Sequence, residues 1–156
     1  MSDLRPTNRR LNLGCGVYHE DGADWINIDA NPHADPDILR DVRRGLPFDG
    51  SSCAEVLTSH FLEHLPPDDL IFLIGEIHRV LVASGIWRIV VPLGNTGDID
   101  HKMQFSVDSF AMLPRPEAER YYQIPGLRFE EVSKAVKVEP TRPLVESLWL
   151  MLRAVK

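Results

Sequence analysis

Cysteine is scarce in this sequence, and long apolar runs are absent. Only Cys15 and Cys53 stand among 156 residues, too few for a disulfide framework or a four-ligand zinc site. No stretch approaches the roughly 18 consecutive apolar residues of a membrane span, and residues 1–10 lack the apolar segment of a secretory signal. We therefore expect a reducing, cytoplasmic location and no membrane association.

Positive charge is also in short supply. Lysine and arginine total 17 against 23 aspartates and glutamates, a formal net charge of -6. This balance repels a phosphate backbone at long range and disfavours general nucleic-acid binding. The densest basic run, residues 40–44, is interrupted by Asp41 and Val42 and is typical of a solvated turn.

The length fits one domain, residues 1–156. Short β-rich segments alternate with turns, a pattern typical of an α/β domain with a mainly parallel sheet. Apolar residues at three- and four-residue spacings predict a crossover helix over 67–82. A shorter helix over 107–113, capped by Ser106, is also expected. The predicted strands are 10–13, 25–29, 54–59 and 86–91, a short one within 37–42, and an antiparallel hairpin of 127–138 and 148–155 around a 140–143 turn.

Two signals lie where predicted strands end. Gly14, Cys15 and Gly16 follow the first strand, and Asp29 ends the second. Ligands of open α/β sheets bind beyond the carboxyl ends of the strands, where glycines allow close approach and a carboxylate can accept hydrogen bonds from ribose hydroxyls. A simple tight turn at the glycines remains an alternative.

The residues after the glycine turn narrow the kind of adenosine ligand. A dinucleotide needs G-x-G-x-x-G opening a helix, whose N-terminus binds the pyrophosphate. Here His19 stands at the last position, and no helix is expected between residues 17 and 25. A phosphate-free adenosyl ligand is therefore favoured over NAD.

Five segments occur together in one order and spacing: LNLGCG, WINID, RDVRRGLPF, SHFLEHL and EIHRVLVASGIWRIVVP. Together they resemble the small class I S-adenosylmethionine-dependent methyltransferases of the type 11 group. The resemblance implies a three-layer, Rossmann-like sheet of strand order 3-2-1-4-5-7-6. It also implies an enzyme that uses S-adenosylmethionine, acting here on an unidentified, small-molecule acceptor. The oligomeric state is left open.

The resemblance also implies roles for single residues. Gly14, Cys15 and Gly16 would pass under the methionyl part, and Asp29 would hold the ribose. The adenine would meet Asp41 and the backbone of Val42, while Ser59 and His60 would lie beside the methyl group. For Asp41 the alternative is a turn carboxylate paired with Arg40, Arg43 or Arg44.

His60 and, second to it, His101 are the candidate general bases. An imidazole can accept a proton near neutrality, and both residues lie on loops, 59–64 and 93–105, from which an acceptor would approach. The alternative for His60 is a ring that only shapes the pocket. We read the 93–105 loop as a mobile substrate lid.

The chain also departs from the family pattern. Residues 17–24 leave a shortened first crossover, where parallel strands usually need a dozen or more connecting residues. Asn12 and Tyr18 stand where the family often has an acidic residue and a glycine. A non-catalytic adenosyl-ligand sensor, or a partner subunit of a larger enzyme, is therefore the alternative function.

A competing motif is His60-Phe61-Leu62-Glu63-His64. It matches the H-x-x-E-H pattern of zinc peptidases, in which two histidines one helical turn apart bind the metal. Pro66 and Pro67 follow at once, so a long metal-bearing helix cannot continue. We keep a zinc peptidase as a remote alternative and expect no metal.

Overall fold

The computed structural model describes residues 8–138 and 145–156. Seven strands form one sheet in the order 3-2-1-4-5-7-6, as the resemblance implies. Strands β1 to β5 are parallel, and β7 runs antiparallel between β5 and β6. In chain order the elements are β1 (Arg10–Leu13), β2 (Trp25–Asp29), β3 (Ile38–Leu39), β4 (Cys53–Ser59), α1 (Pro67–Val80), β5 (Leu81–Pro92), α2 (Ala118–Tyr122), β6 (Phe129–Val138) and β7 (Glu146–Ala154).

The predicted strands agree with this arrangement to within a few residues, except at two positions. The third strand shrinks to Ile38–Leu39, and β5 begins five residues earlier than predicted. The predicted hairpin is formed by β6 and β7, while its 140–143 turn lies outside the described residues. None of the helices in the described ranges is long and apolar enough to cross a membrane.

Helix α1 follows its sequence signals. Pro67 occupies the first turn, where its missing N–H is harmless, and Asp68 and Asp69 lie at the positive end of the helix dipole. The helix ends two residues earlier than predicted, because Leu81 adopts an extended backbone and begins β5. Its buried side chains are Leu70, Leu73, Ile74, Ile77, His78 and Val80.

The predicted helix over 107–113 is wrong. The segment forms successive turns with bonds between residues three apart, such as Ala111 N to Asp108 O and Leu113 N to Phe110 O. The Ser106 hydroxyl accepts from Asp108 N, and such local side-chain bonds compete with a regular helix. A short helix, α2, forms instead after Pro116, where none is predicted.

The hydrophobic core lies on one face of the sheet. Strand register places Leu11, Val56, Trp87 and Leu152 in one row across β1, β4, β5 and β7, and all four are fully buried. Side chains of α1 belong to the same core cluster, as do Phe105, Phe110 and Leu113 of the segment before α2. This packing fixes the carboxyl ends of the parallel strands relative to one another.

The opposite face is covered differently. Here Glu55 of β4 pairs with Arg10 and Arg88, and both guanidinium groups lie over the Trp25 ring, 5.8 and 5.7 Å from its centroid. The connections before β4 form turns and 3-10 helices in place of α-helices.

A buried amide pair closes the shortened first crossover. Asn12 of β1 donates from Nδ2 to Asn27 Oδ1 of β2 at 3.0 Å and to Tyr18 O at 2.9 Å. Asn27 in turn accepts from Glu20 N, and it donates to Glu20 O and to the Asp37 carboxylate. These bonds hold the loop against two buried strands, so the crossover needs no helix.

Removal of the Asn27 side-chain amide is expected to destabilise the protein. Asn27→Ala should lower the free energy of unfolding by about 2 to 3 kcal/mol, because Asn12 and the backbone of Glu20 lose buried partners. Urea unfolding monitored by circular dichroism measures the change. Asn95→Ala, at an exposed loop position, is the control and should stay within about 0.5 kcal/mol. Equal stability of the two variants would contradict the assigned role of the network.

Candidate functional site

The glycine turn after β1 is shaped by its neighbours. Gly14 and Gly16 adopt φ values of 64° and 51°, in the left-handed region that favours glycine. The N–H groups of Gly14 and Cys15 both donate to Ile28 O, which ties the turn to β2. A Cβ at Gly14 would lie 2.1 Å from the Phe61 ring. Glycine is therefore required at position 14 by both backbone conformation and space.

Asp29 is held by backbone donors on both sides. Its Oδ2 accepts from Gly16 N at 2.8 Å, and its Oδ1 accepts from Asn31 N at 2.8 Å. A carboxylate offers about four acceptor directions, so each oxygen keeps one for a further donor. Two oxygens held in this way match the spacing of a vicinal diol.

A cavity of about 110 Å³ lies beside Asp29. Its lining comes from the ends of β1, β2, β3 and β4, which the parallel sheet brings to one edge. The lining residues are Gly14, Asp29, Ala30, Arg40, Asp41, Val42, Arg43, Phe61 and Leu65. Gly14, Asp29, Asp41 and Val42, four of the predicted cofactor residues, therefore share one cavity.

Asp41 already has a partner within the chain. It caps the 3-10 helix Val42–Arg44 by accepting from Arg43 N, and it pairs with the Arg43 guanidinium at 2.8 Å. The hydrogen bond from the Arg43 side chain lowers the pKa of Asp41. The alternative of a turn carboxylate is thus present in the structure, and the role of Asp41 toward adenine stays a prediction.

The other predicted cofactor residues do not line this cavity. Cys15 and Gly16 belong to the same glycine turn, while Ser59 is the last residue of β4 and His60 follows it. His60 has a left-handed backbone with φ 49°, and its N–H donates to Val90 O at 2.9 Å, which extends the pairing of β4 with β5. Such a conformation in a residue other than glycine costs energy and is common at functional sites.

The same backbone argues against the zinc-peptidase arrangement. His60 is outside any helix, and the 3-10 helix that follows covers only Leu62–His64. His60 and His64 therefore do not lie one turn apart on a helix, as the H-x-x-E-H chemistry requires.

His101 lies in the 93–105 loop, which is tied to the end of β4. Lys102 N and Met103 N both donate to Glu63 O, and Gly94 N donates to Phe105 O. The His101 side chain is 13% exposed and has Thr96 Oγ1 3.0 Å from its Nδ1. His60, at 37% exposed, is the more accessible candidate base.

Phe61 and Leu65 were missed by sequence reasoning. Both lie within SHFLEHL and line the cavity, but no sequence pattern shows that the Phe61 ring packs on Gly14 of another strand. Arg43 was considered only as a partner of Asp41, yet it also lines the cavity wall.

Comparison with solved structures defines the fold class. No protein-family model matches the chain, and neither does any curated protein sequence. A 1,6-didemethyltoxoflavin-N1-methyltransferase of Burkholderia thailandensis, solved with 1,6-didemethyltoxoflavin and S-adenosylhomocysteine, has a TM-score of 0.66 at 17% identity, covering 94% of this chain and 71% of its own. An S-adenosylmethionine-dependent methyltransferase of Archaeoglobus fulgidus has a TM-score of 0.66 at 17% identity, covering 95% and 87%.

A third neighbour is a putative methyltransferase of Bacillus halodurans. It has a TM-score of 0.68 at 12% identity, covering 98% of this chain and 95% of its own. Likeness at such low identity concerns the fold, because one fold can carry many functions. The chain has the class I methyltransferase fold, in agreement with the resemblance of its sequence.

Cys15 supplies a prediction about this site. Burial and the nearby Asp29 charge raise the pKa of Cys15 to about 11, and burial also raises the pKa of Cys53. A rise of two units cuts the thiolate about 100-fold, offset about tenfold by higher thiolate reactivity. In Cys53→Ser protein at pH 8, iodoacetamide should therefore label Cys15 at least about tenfold more slowly than free cysteine.

Mass spectrometry of the intact protein follows this labelling. The same protein in urea is the positive control and should react at the rate of an ordinary thiol. Rapid stoichiometric labelling of the native Cys53→Ser variant would show that Cys15 is an activated thiol instead of a small turn residue.

Proposed function

We propose that the chain is an S-adenosylmethionine-dependent methyltransferase acting on a small-molecule acceptor. The observation that carries the proposal is Asp29, whose two oxygens are fixed beside the glycine turn with acceptor capacity left over. A carboxylate so placed suits both hydroxyls of an adenosyl ribose.

The first crossover decides between adenosine ligands. Between Gly16 and Trp25 the structure forms only turns and irregular backbone, so no helix N-terminus faces the glycine turn. The helix N-terminus that usually binds a pyrophosphate is therefore missing after this glycine turn. A sulfonium cofactor carries no phosphate and needs none, which favours S-adenosylmethionine over NAD.

Each predicted cofactor residue has a place in the proposal. Gly14, Cys15 and Gly16 would pass under the methionyl chain, Asp29 would bind the ribose, and Asp41 with Val42 would meet the adenine. Ser59 and His60 would lie toward the methyl end. Because the Phe61 ring covers Gly14, we expect this ring to turn aside or pack on the ligand when the site fills.

The chemistry required of the protein is limited. When bound, the cofactor supplies a methyl group already activated by a sulfonium leaving group. The chain must then align the acceptor and, where the acceptor carries a proton, remove it. His60 is the better placed proton acceptor, because it directly follows β4 and is more exposed than His101.

The acceptor class is supported by charge and by one neighbour. The net charge of -6 disfavours general nucleic-acid binding. The Burkholderia neighbour was solved with bound 1,6-didemethyltoxoflavin. We propose an acceptor of comparable size, which would enter between the loops 59–64 and 93–105.

The cofactor assignment is tested by calorimetry. We expect S-adenosylmethionine and S-adenosylhomocysteine to bind and NAD not to bind. Asp29→Ala should weaken binding by about 1.5 to 3 kcal/mol, roughly ten- to a hundredfold, as for other charge-assisted hydrogen bonds. Asp21→Ala, an exposed carboxylate with no role in the site, should bind like the wild type. Unchanged affinity in a folded Asp29→Ala variant would refute the ribose assignment.

The role of His60 is tested by turnover once screening has found an acceptor. His60→Asn suits the left-handed backbone, since asparagine tolerates that conformation, but it cannot act as the base. At saturating cofactor and acceptor we expect turnover to fall by about 10² to 10⁴. His33→Ala, an exposed histidine, is the control.

The same experiment separates the alternatives. A ring that only shapes the pocket would change binding of cofactor or acceptor while saturated turnover stays near that of the wild type. Binding of the cofactor without turnover on any screened acceptor, together with a ligand-bound structure in which the methyl group is occluded, would favour the sensor or partner subunit.

A further inference from the structure

Three potential metal ligands converge where the loops after β4 and β5 meet. Glu63, His64 and His101 each offer one ligand atom, and these atoms all lie within 4.8 Å of one another. The two imidazole rings meet edge to face, with centroids 4.9 Å apart. Glu63 and His64 come from the 3-10 helix after β4, and His101 comes from a loop some forty residues later.

Glu63 is the unusual member of this cluster. The residue is 1% exposed, and its Oε2 has no hydrogen-bond partner among the described residues. Its Oε1 lies 3.6 Å from His60 Nδ1. Leaving a buried carboxylate oxygen without a partner is costly. A cation bound at this position would give Glu63 Oε2 the partner that it lacks.

Both histidines are already oriented by neighbouring groups. His64 Nδ1 lies 3.2 Å from Asp100 Oδ2, which leaves Nε2 as its ligand atom. In His101, Thr96 Oγ1 lies 3.0 Å from Nδ1 and Asp98 Oδ2 lies 3.5 Å from Nε2. Metal binding through Nε2 would replace the longer contact with Asp98 and keep the one with Thr96. Metal-binding histidines are typically held in this way, with the second ring nitrogen bonded to a carboxylate or another polar group.

The sequence alone led us to expect no metal; from the structure we propose instead that Glu63, His64 and His101 form a site for a zinc-class divalent metal ion. Two imidazoles and one carboxylate are the donors of open zinc sites, which leave a fourth position for water or substrate. Hard cations such as magnesium favour oxygen ligands, and the two nitrogens select against them.

The geometry needs only a small adjustment. Zinc bonds of about 2.0 to 2.2 Å place tetrahedral ligand atoms about 3.4 Å apart, so the most distant pair must close by somewhat more than 1 Å. His64 can supply this movement, because its side chain is 37% exposed and sits at the rim of the cluster. Buried Glu63 and largely enclosed His101 would form the fixed part of the site.

This site differs from the zinc-peptidase pattern. In that pattern both histidines of H-x-x-E-H bind the metal and the glutamate activates water. Here the left-handed turn at His60 removes the first histidine from the set, His101 replaces it, and Glu63 becomes a ligand. His101 would then hold the metal, which leaves His60 as the candidate base.

The location gives the metal a role that rests on the proposed function. The cluster joins the two loops between which we place the acceptor. An anionic oxygen or nitrogen of a small acceptor could take the fourth position and be oriented there. Zinc binding itself does not depend on methyl transfer, so the two proposals can fail separately.

The test is titration of chelator-treated protein with zinc alone. Calorimetry should show one zinc per chain, and elemental analysis after dialysis should confirm it. Glu63→Gln and His64→Ala should each weaken binding at least about tenfold, whereas His33→Ala should bind like the wild type. Zinc should also raise the unfolding temperature of the wild type and of His33→Ala, because a ligand that binds the native state stabilises it.

Two results would overturn the site: absence of saturable zinc binding in the wild type, or equal affinity in wild type, Glu63→Gln and His64→Ala. Circular dichroism of the metal-free variants checks folding. If Glu63→Gln fails to fold, partly exposed His64→Ala carries the test. Cobalt substitution gives an independent check, since the absorption of the bound ion distinguishes a tetrahedral protein site from loosely held surface metal. S-adenosylhomocysteine titration of the same samples reports the cofactor site separately.

Discussion

The bond between Asn12 and Asn27 is the constraint on which the functional edge of the sheet depends. Two parallel strands are usually joined through a helix, which covers the sheet and satisfies the connecting backbone. Here the side-chain amides of Asn12 and Asn27 bind the connecting backbone instead. They hydrogen-bond to each other and to the backbone of Tyr18 and Glu20. The result is a class I methyltransferase sheet whose first crossover is a loop.

The shape of the site follows from that substitution. With no helix after β1, the glycine turn is free to bind Asp29 through Gly16 N, and Asp29 in turn holds Asn31 at the start of the next connection. Phe61 closes the turn from the side of β4. The ligand edge is therefore held by short polar bonds and by the contact between Phe61 and the glycine turn.

The segment after β4 serves two neighbouring regions. Phe61 and Leu65 face the cavity beside Asp29, while Glu63 and His64 face the loop that follows β5. Between these two pairs the left-handed backbone at His60 is followed by a 3-10 helix over Leu62–His64. A continuous helix would have placed His60 and His64 on the same side.

Much of the fold was determined by the sequence alone. Runs of β-branched residues, the apolar spacing of α1 and the glycine signals are local, so β1, β2, β4 and α1 could be predicted from them. The order of the strands in the sheet came from the resemblance to the methyltransferase family, and the structure has that order. Gly14 and Asp29 could also be named, because ligands of such sheets bind where parallel strands end. Asp41 and Val42 could be named only through the resemblance to the family. Prediction was wrong at 107–113, where local hydroxyl bonds and buried anchors outweighed helical spacing.

Only the tertiary structure decided the rest. Contacts such as Phe61 on Gly14 or His101 beside His64 join residues some forty positions apart, and no spacing rule links them. Asn12 is a departure from the family pattern in the sequence, yet in the fold it is half of the bond that makes the short crossover stable. The sequence gives the identity of each side chain, but the packing of the whole sheet determines which residue it contacts.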